Sequence, residues 1–152
     1  MLNILTEGNH GFIHELVNTE GWLQFIGDRN IHSKEAAIAY INKINGTPDF
    51  YYWVVRLKDI HRPVGIITFI KREYLTHFDI GFAFLPEYNG KGYAYEAANG
   101  VLSFIKLQPQ HQTVLATTLA GNVRSIKLLV NLGFHFDREI VVGNNQLSVY
   151  ST

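Results

Sequence analysis

The sequence predicts a mixed α/β fold of the α+β kind, in which one mostly antiparallel, twisted sheet is flanked by helices. Three observations carry this expectation. Two stretches rich in aromatic and β-branched residues, Phe50–Leu57 and Val64–Ile70, are joined by the turn-like Lys58–Pro63 and read as an antiparallel pair. Segments with helical spacing interrupt the strands instead of alternating with them one for one. The 152 residues, 47% hydrophobic and 17% charged, suit one globular domain spanning residues 1–152.

The elements follow in order. A short strand is expected at Leu2–Thr6, and His10–Asn18 carries Phe12, Ile13 and Leu16 at helical steps. Trp22–Asn30 (WLQFIGDRN) reads as a loop. Ser33 can cap a helix over Lys34–Asn45, with Ala37, Ile38 and Ile41 on one side and Gly46 to stop it. After the strand pair comes a third strand, Asp79–Leu85, ended by Pro86. A helix over Tyr93–Lys106, a strand at Thr113–Leu119 and a helix at Asn122–Leu132 follow. Phe134–Val142 and Gln146–Ser151 flank Gly-Asn-Asn, which suits a hairpin turn. The order is β-α-α-β-β-β-α-β-α-β-β.

Thirteen basic and thirteen acidic side chains cancel, so no long-range field draws this surface to nucleic acid or anionic lipid, and neither is expected as a partner. Any anion must be held locally. The chain has no cysteine, which removes disulfides, thiolate metal sites and cysteine nucleophiles. No basic-then-apolar leader opens the chain and no apolar run nears the roughly 18 residues of a membrane span, so a cytoplasmic location is expected. His10 and His14 stand one helical turn apart, but Gly11 weakens the helix and no third histidine is near in sequence, and no metal is expected. No Gly-x-Ser-x-Gly marks a serine hydrolase. Tyr51, Tyr52 and Trp53 read as strand packing whose exposed faces could serve a dimer, so a monomer or a homodimer fits.

Pro86–Ala97 (PEYNGKGYAYEA) is the most informative stretch: a strand ends, Gly90 and Gly92 follow, and a helix begins. Helix amino termini present free N–H groups and a positive dipole end, and glycine lets backbone approach a diphosphate closely. The dinucleotide fingerprint fails because Tyr95 holds its last glycine position, and no Gly-Lys-Ser/Thr follows at nucleotide-loop spacing. A ligand-free glycine turn is the competing reading.

IGFAFLPEYNGKGYAYEA resembles the acetyl-coenzyme-A motif of the GNAT acetyltransferase superfamily, whose turn reads Gln/Arg-x-x-Gly-x-Gly/Ala. Asn89 departs from the usual first residue. Downstream, ATTLAGNVRSIKLLVNLGF resembles the family's second half, with Asn122, Ser125 and Leu132-Gly133-Phe134 in their places. Phe25–Ile31, Ser125 and Leu129 are similar to the branch that includes ribosomal-protein N-terminal acetyltransferases.

The resemblance implies acetyl-CoA as acyl donor and a primary amine, on a peptide or a small molecule, as acceptor. It implies a bulged strand Asp79–Leu85 splayed from Thr113–Leu119, with backbone of Phe82 and Phe84 pairing with the pantetheine arm. The diphosphate would sit at Asn89, Gly90, Lys91, Gly92, Tyr93 and Ala94, with Asn122 anchoring the arm beside Ser125. The family's acid tyrosine is Leu129 here and the glutamate of some relatives is Thr117, which leaves Asp79 as the candidate base. The same losses make a non-catalytic coenzyme-A-binding module of this fold the alternative. For the acceptor, the loop between the first helices offers Trp22, Asp28 and Arg29, with Asp28 placed to hold an ammonium and Trp22 an aromatic face. The other reading has Trp22 in the core and Asp28 paired with Arg29. His77 directly precedes the cleft strand.

Overall fold

The computed structural model describes Met1–Thr152. Seven strands form one sheet: β1 (Leu2–Ile4), β2 (Phe50–Arg56), β3 (Pro63–Ile70), β4 (Asp79–Phe84), β5 (Leu115–Thr118), β6 (His135–Val142) and β7 (Asn145–Ser151). Their spatial order is β1-β2-β3-β4-β5-β7-β6. Every neighbouring pair is antiparallel except β4–β5. The expected architecture is therefore present, with the predicted strand order along the chain.

Helices α1 (His10–Val17), α2 (Glu20–Phe25) and α3 (Lys34–Asn45) cover one face, and α4 (Tyr93–Ile105) and α5 (Val123–Asn131) cover the other. Strand alternation divides the sheet's side chains between two cores. Val54, Ile66 and Leu85 join Phe12, Leu16, Trp22 and Ile41 under α1–α3. Val55, Ile67, Ile80 and Phe84 join Ala98, Val101, Leu102 and Leu129 under α4–α5. No helix is long and apolar enough to cross a membrane.

Local chemistry explains the ends. The Ser33 hydroxyl accepts from the Ala36 N–H at 3.0 Å and starts α3, which ends at Gly46 as read. The Trp22–Asn30 segment is a different matter: its first residues belong to α2. Thr19 caps that helix by accepting from the Trp22 N–H, with Glu20 in the first turn, a start signal that lies upstream of a stretch without helical period. The expected dimer surface on Tyr51–Trp53 is also limited by topology. β2 lies between β1 and β3, so it offers a face to a partner and no free backbone edge.

The expected bulge in the cleft strand is absent from its ladder with β3, which runs one for one from Gly65↔Phe84 to Ile70↔Asp79. The gap has another origin. β4 and β5 pair at one position only, Asp79↔Leu115, while β5 is held along its length by β7. Sheet twist carries the two strands apart above that point.

Candidate active site at the split between two parallel strands

Two hydrogen bonds fix which way the β4 backbone faces. The Leu85 N–H donates to Val64 O on the β3 side, and the Leu115 N–H of β5 donates to Phe78 O. Main-chain groups alternate sides along a strand, so those of Phe82 and Phe84 face β5. No β5 partner meets them, because the ladder ends at Asp79. The two residues expected to offer backbone to an extended ligand are thus the ones whose donors and acceptors line the gap.

At the upper end of the gap the chain turns through Asn89–Gly92 into α4. Gly90 and Gly92 adopt φ of +72° and +83°, the left-handed region that favours glycine. A Cβ on either would meet nothing within 4 Å, so conformation and not crowding selects glycine, and the space above the turn is open. None of the six N–H groups from Gly90 to Tyr95 donates to a protein acceptor; the first amide of the helix to do so is Glu96, to Gly92 O at 3.0 Å. Lys91, Tyr93 and Ala94 therefore present free amides as expected. Asn89 donates its own N–H to Pro86 O, and its side chain bonds to nothing in the protein. The Lys91 ammonium lies 5.5 Å from the centre of the Tyr88 ring. The turn thus offers free amides at the positive end of a helix dipole, a set of donors of the kind that suits an anion.

Across the gap, Asn122 caps α5 by accepting from the Ser125 N–H at 3.2 Å. Its carbonyl is thereby committed, while its amide N–H₂ makes no protein bond and stays available.

At the lower end stands Asp79, the candidate base, at the start of β4. It is 3% exposed. Both its oxygens accept from Arg72 Nε, at 3.0 and 3.1 Å, and the Thr117 hydroxyl of β5 reaches Oδ2 at 3.4 Å. Burial pushes the Asp79 carboxyl up, against the pull of Arg72 and Thr117, and it ends above the usual carboxylate value. Burial disfavours the Arg72 cation, but the carboxylate beside it holds its pKa above the ordinary value.

The acceptor residues are only partly brought together. Trp22 is buried in the α1–α3 core with its indole N–H unpaired, and the Arg29 guanidinium lies 5.9 Å from its ring centre. Asp28 makes no ion pair with Arg29; it accepts from the Asn30 N–H at 2.7 Å and closes its own turn. The aromatic face meant for an ammonium is thus taken by the protein's own cation. His77 is exposed, hydrogen-bonded to Thr76, and borders a separate cavity of about 250 Å³ with Lys71, Phe78 and His111.

Sequence reading missed several polar groups on the α1–α3 face of the split. Gly81 and Ala83 leave only small side chains there, and a Cβ at Gly81 would come 2.6 Å from the Thr68 hydroxyl. Tyr40 and Tyr52 pack against the same core. Burial raises the Tyr52 phenol far above its ordinary pKa, the neighbouring Tyr40 adds to this, and Arg72 and Arg29 pull it back. Tyr52 read as strand packing together with Tyr51 and Trp53, and nothing in the sequence tied Arg72 to Asp79.

A model of the "Acetyltransferase (GNAT) domain" matches residues 3–135. The uncharacterized N-acetyltransferase YnaD of Bacillus subtilis is 27% identical over 142 residues, 91% of this chain and 82% of its own length. Among solved structures, a GNAT-family acetyltransferase from Bacillus anthracis superposes with TM-score 0.82 at 23% identity, covering 99% of this chain and 92% of that one. The aminoglycoside acetyltransferase AAC(6')-Ib, solved with coenzyme A, gives 0.83 at 13%, with coverages of 100% and 93%. With the family model spanning most of its length and the split sheet and glycine turn in place, this chain belongs to the GNAT acetyltransferase family.

Proposed function

We propose that this protein transfers an acetyl group from acetyl-CoA to a primary amine by direct attack within a ternary complex. The observation that carries the reading is the run of six unpaired amides, Gly90–Tyr95, at the mouth of a gap lined by unpaired β4 backbone. When bound, the coenzyme supplies a thioester-activated acyl group. The turn holds the diphosphate, and the backbone of Phe84 and Phe82 holds the arm in the manner of an added strand. The Asn122 amide N–H₂, which has no partner within the protein, donates to the arm from the other wall. That a structural neighbour of the same fold, AAC(6')-Ib, was solved in complex with coenzyme A supports a coenzyme A ligand for this fold.

For the chemistry, the free Phe82 N–H is the donor nearest the acyl end and can stabilise negative charge on the carbonyl oxygen. Such a donor contributes roughly 3 to 4 kcal/mol where one has been removed from other enzymes. Leu129 is fully buried in the α4–α5 core, so no acid stands where relatives carry tyrosine. With both oxygens of Asp79 engaged by Arg72, we read that carboxylate as a positioning group that ties the split and not as the proton acceptor. An amine that is partly neutral near pH 7 then suits the site best. A peptide α-amino group, with a pKa of about 7.7 to 8.0, meets this better than a lysine at about 10.4.

The test is thiol release from acetyl-CoA across a panel of peptide α-amines and small-molecule amines. Turnover with α-amines supports the reading. Thermal stabilisation by coenzyme A with silence across the panel would favour a non-catalytic coenzyme-A-binding module, the alternative that the buried Leu129 suggests.

A further inference from the structure

The groups that close the lower end of the split have a geometry of their own. Arg72 follows β3, Asp79 opens β4 and Thr117 lies in β5, so one chain of contacts, Arg72 Nε to Asp79 at 3.0 and 3.1 Å and Thr117 Oγ1 to Asp79 Oδ2 at 3.4 Å, ties three segments together. This clasp sits at the single β4–β5 pairing position, immediately below the gap. Above it on the same face come Gly81 and Ala83, with the Thr68 hydroxyl close over Gly81. The gap is thus walled by small residues and floored by an ion pair whose carboxylate is buried and whose guanidinium is partly exposed.

An arm that starts from the Gly90–Tyr95 amides and runs along Phe84 and Phe82 brings its acyl end to this floor. We propose that the Thr117–Asp79–Arg72 clasp is the chain-length stop of the acyl pocket and restricts the donor to acetyl. This rests on the acyl-transfer reading above. The physical cause is that each added methylene must either displace Thr117 from Asp79 or press apolar surface onto a buried carboxylate, leaving its polar atoms unmatched. A methylene too many in such a pocket lowers kcat/KM by about 10- to 200-fold. Thr117, whose hydroxyl reaches from β5 to Asp79, is the specificity-determining residue of the three.

The experiment compares acetyl-, propionyl- and butyryl-CoA as donors with one fixed amine, for the natural protein and Thr117→Gly. The natural protein should prefer acetyl over butyryl by more than tenfold in kcat/KM, and Thr117→Gly should reduce that ratio at least fivefold. Equal use of acetyl- and butyryl-CoA by the natural protein, or an unchanged ratio in the variant, overturns the proposal. Should Thr117→Gly fail to fold, Thr117→Ala carries the same expectation with a smaller change. If no amine supports turnover, the same ratios are read from calorimetric dissociation constants: a preference for acetyl over butyryl that narrows in the variant upholds the stop while the catalytic reading fails. No binding of any acyl-CoA overturns both.

Discussion

Gly92 carries two demands that only glycine meets together: a φ of +83° and an amide left free at the mouth of the gap. Gly92→Ala meets no steric obstacle but must adopt a left-handed conformation, which costs about 1–2 kcal/mol, or rotate the turn. Rotation re-aims the neighbouring amides, so the variant should stay folded and bind coenzyme A at least tenfold more weakly by calorimetry. Asp79 offers a second test at this scale. If it positions and does not take the proton, Asp79→Asn keeps the pH dependence of kcat/KM set by the acceptor amine and raises KM for acetyl-CoA. Loss of the limb in the pH profile, with kcat down about 100-fold or more, would make it the base. The glycine turn was legible in the sequence because its requirement is local, a strand end followed by glycines and a helix start. The Arg72–Asp79 pair was not, because the eight-residue loop between β3 and β4 hides which side chains the register brings together.

Among the elements, helices with a cap and a periodic face read cleanly: α3 has the bounds that Ser33 and Gly46 announced, and α4 departs by one residue at its end. α2 escaped notice because six residues hold too few turns to show a period, and its signal was the Thr19 cap alone. Its Trp22 anchors the α1–α3 core, which places it in packing where an aromatic platform for the acceptor was expected. Gly100 makes a separate test of the element reading. It lies inside α4, exposed, with nothing within 4 Å of an added Cβ. Gly100→Ala should raise stability by roughly 0.5–1 kcal/mol in urea unfolding and leave coenzyme A affinity unchanged, since helix propensity and not contact is altered.

Taken whole, the molecule is one sheet with two large cores and a small cluster of Leu75, Leu115 and Val149, torn between β4 and β5 where the parallel ladder stops after one pair. Strand identity and order followed from composition and turns, but the depth of the split depends on twist and on the grip of β7, which are properties of the assembled sheet. The half-polar face under α1–α3 has a consequence for stability. Folding raises the Tyr52 phenol above its ordinary pKa near 10, so its contribution is fully present below about pH 10 and is lost as pH climbs towards the folded value. Thermal midpoints should fall between about pH 9.5 and 11, and Tyr52→Phe should flatten that fall. The claim on which all of this turns is that bare backbone amides hold the diphosphate of the acyl carrier. A crystal structure with coenzyme A measures it directly: diphosphate oxygens should lie about 2.7–3.2 Å from several amide nitrogens between Gly90 and Tyr95, with the arm alongside Phe84 and Phe82. A bound coenzyme whose diphosphate lies on side chains elsewhere, with those amides turned to solvent, would contradict it.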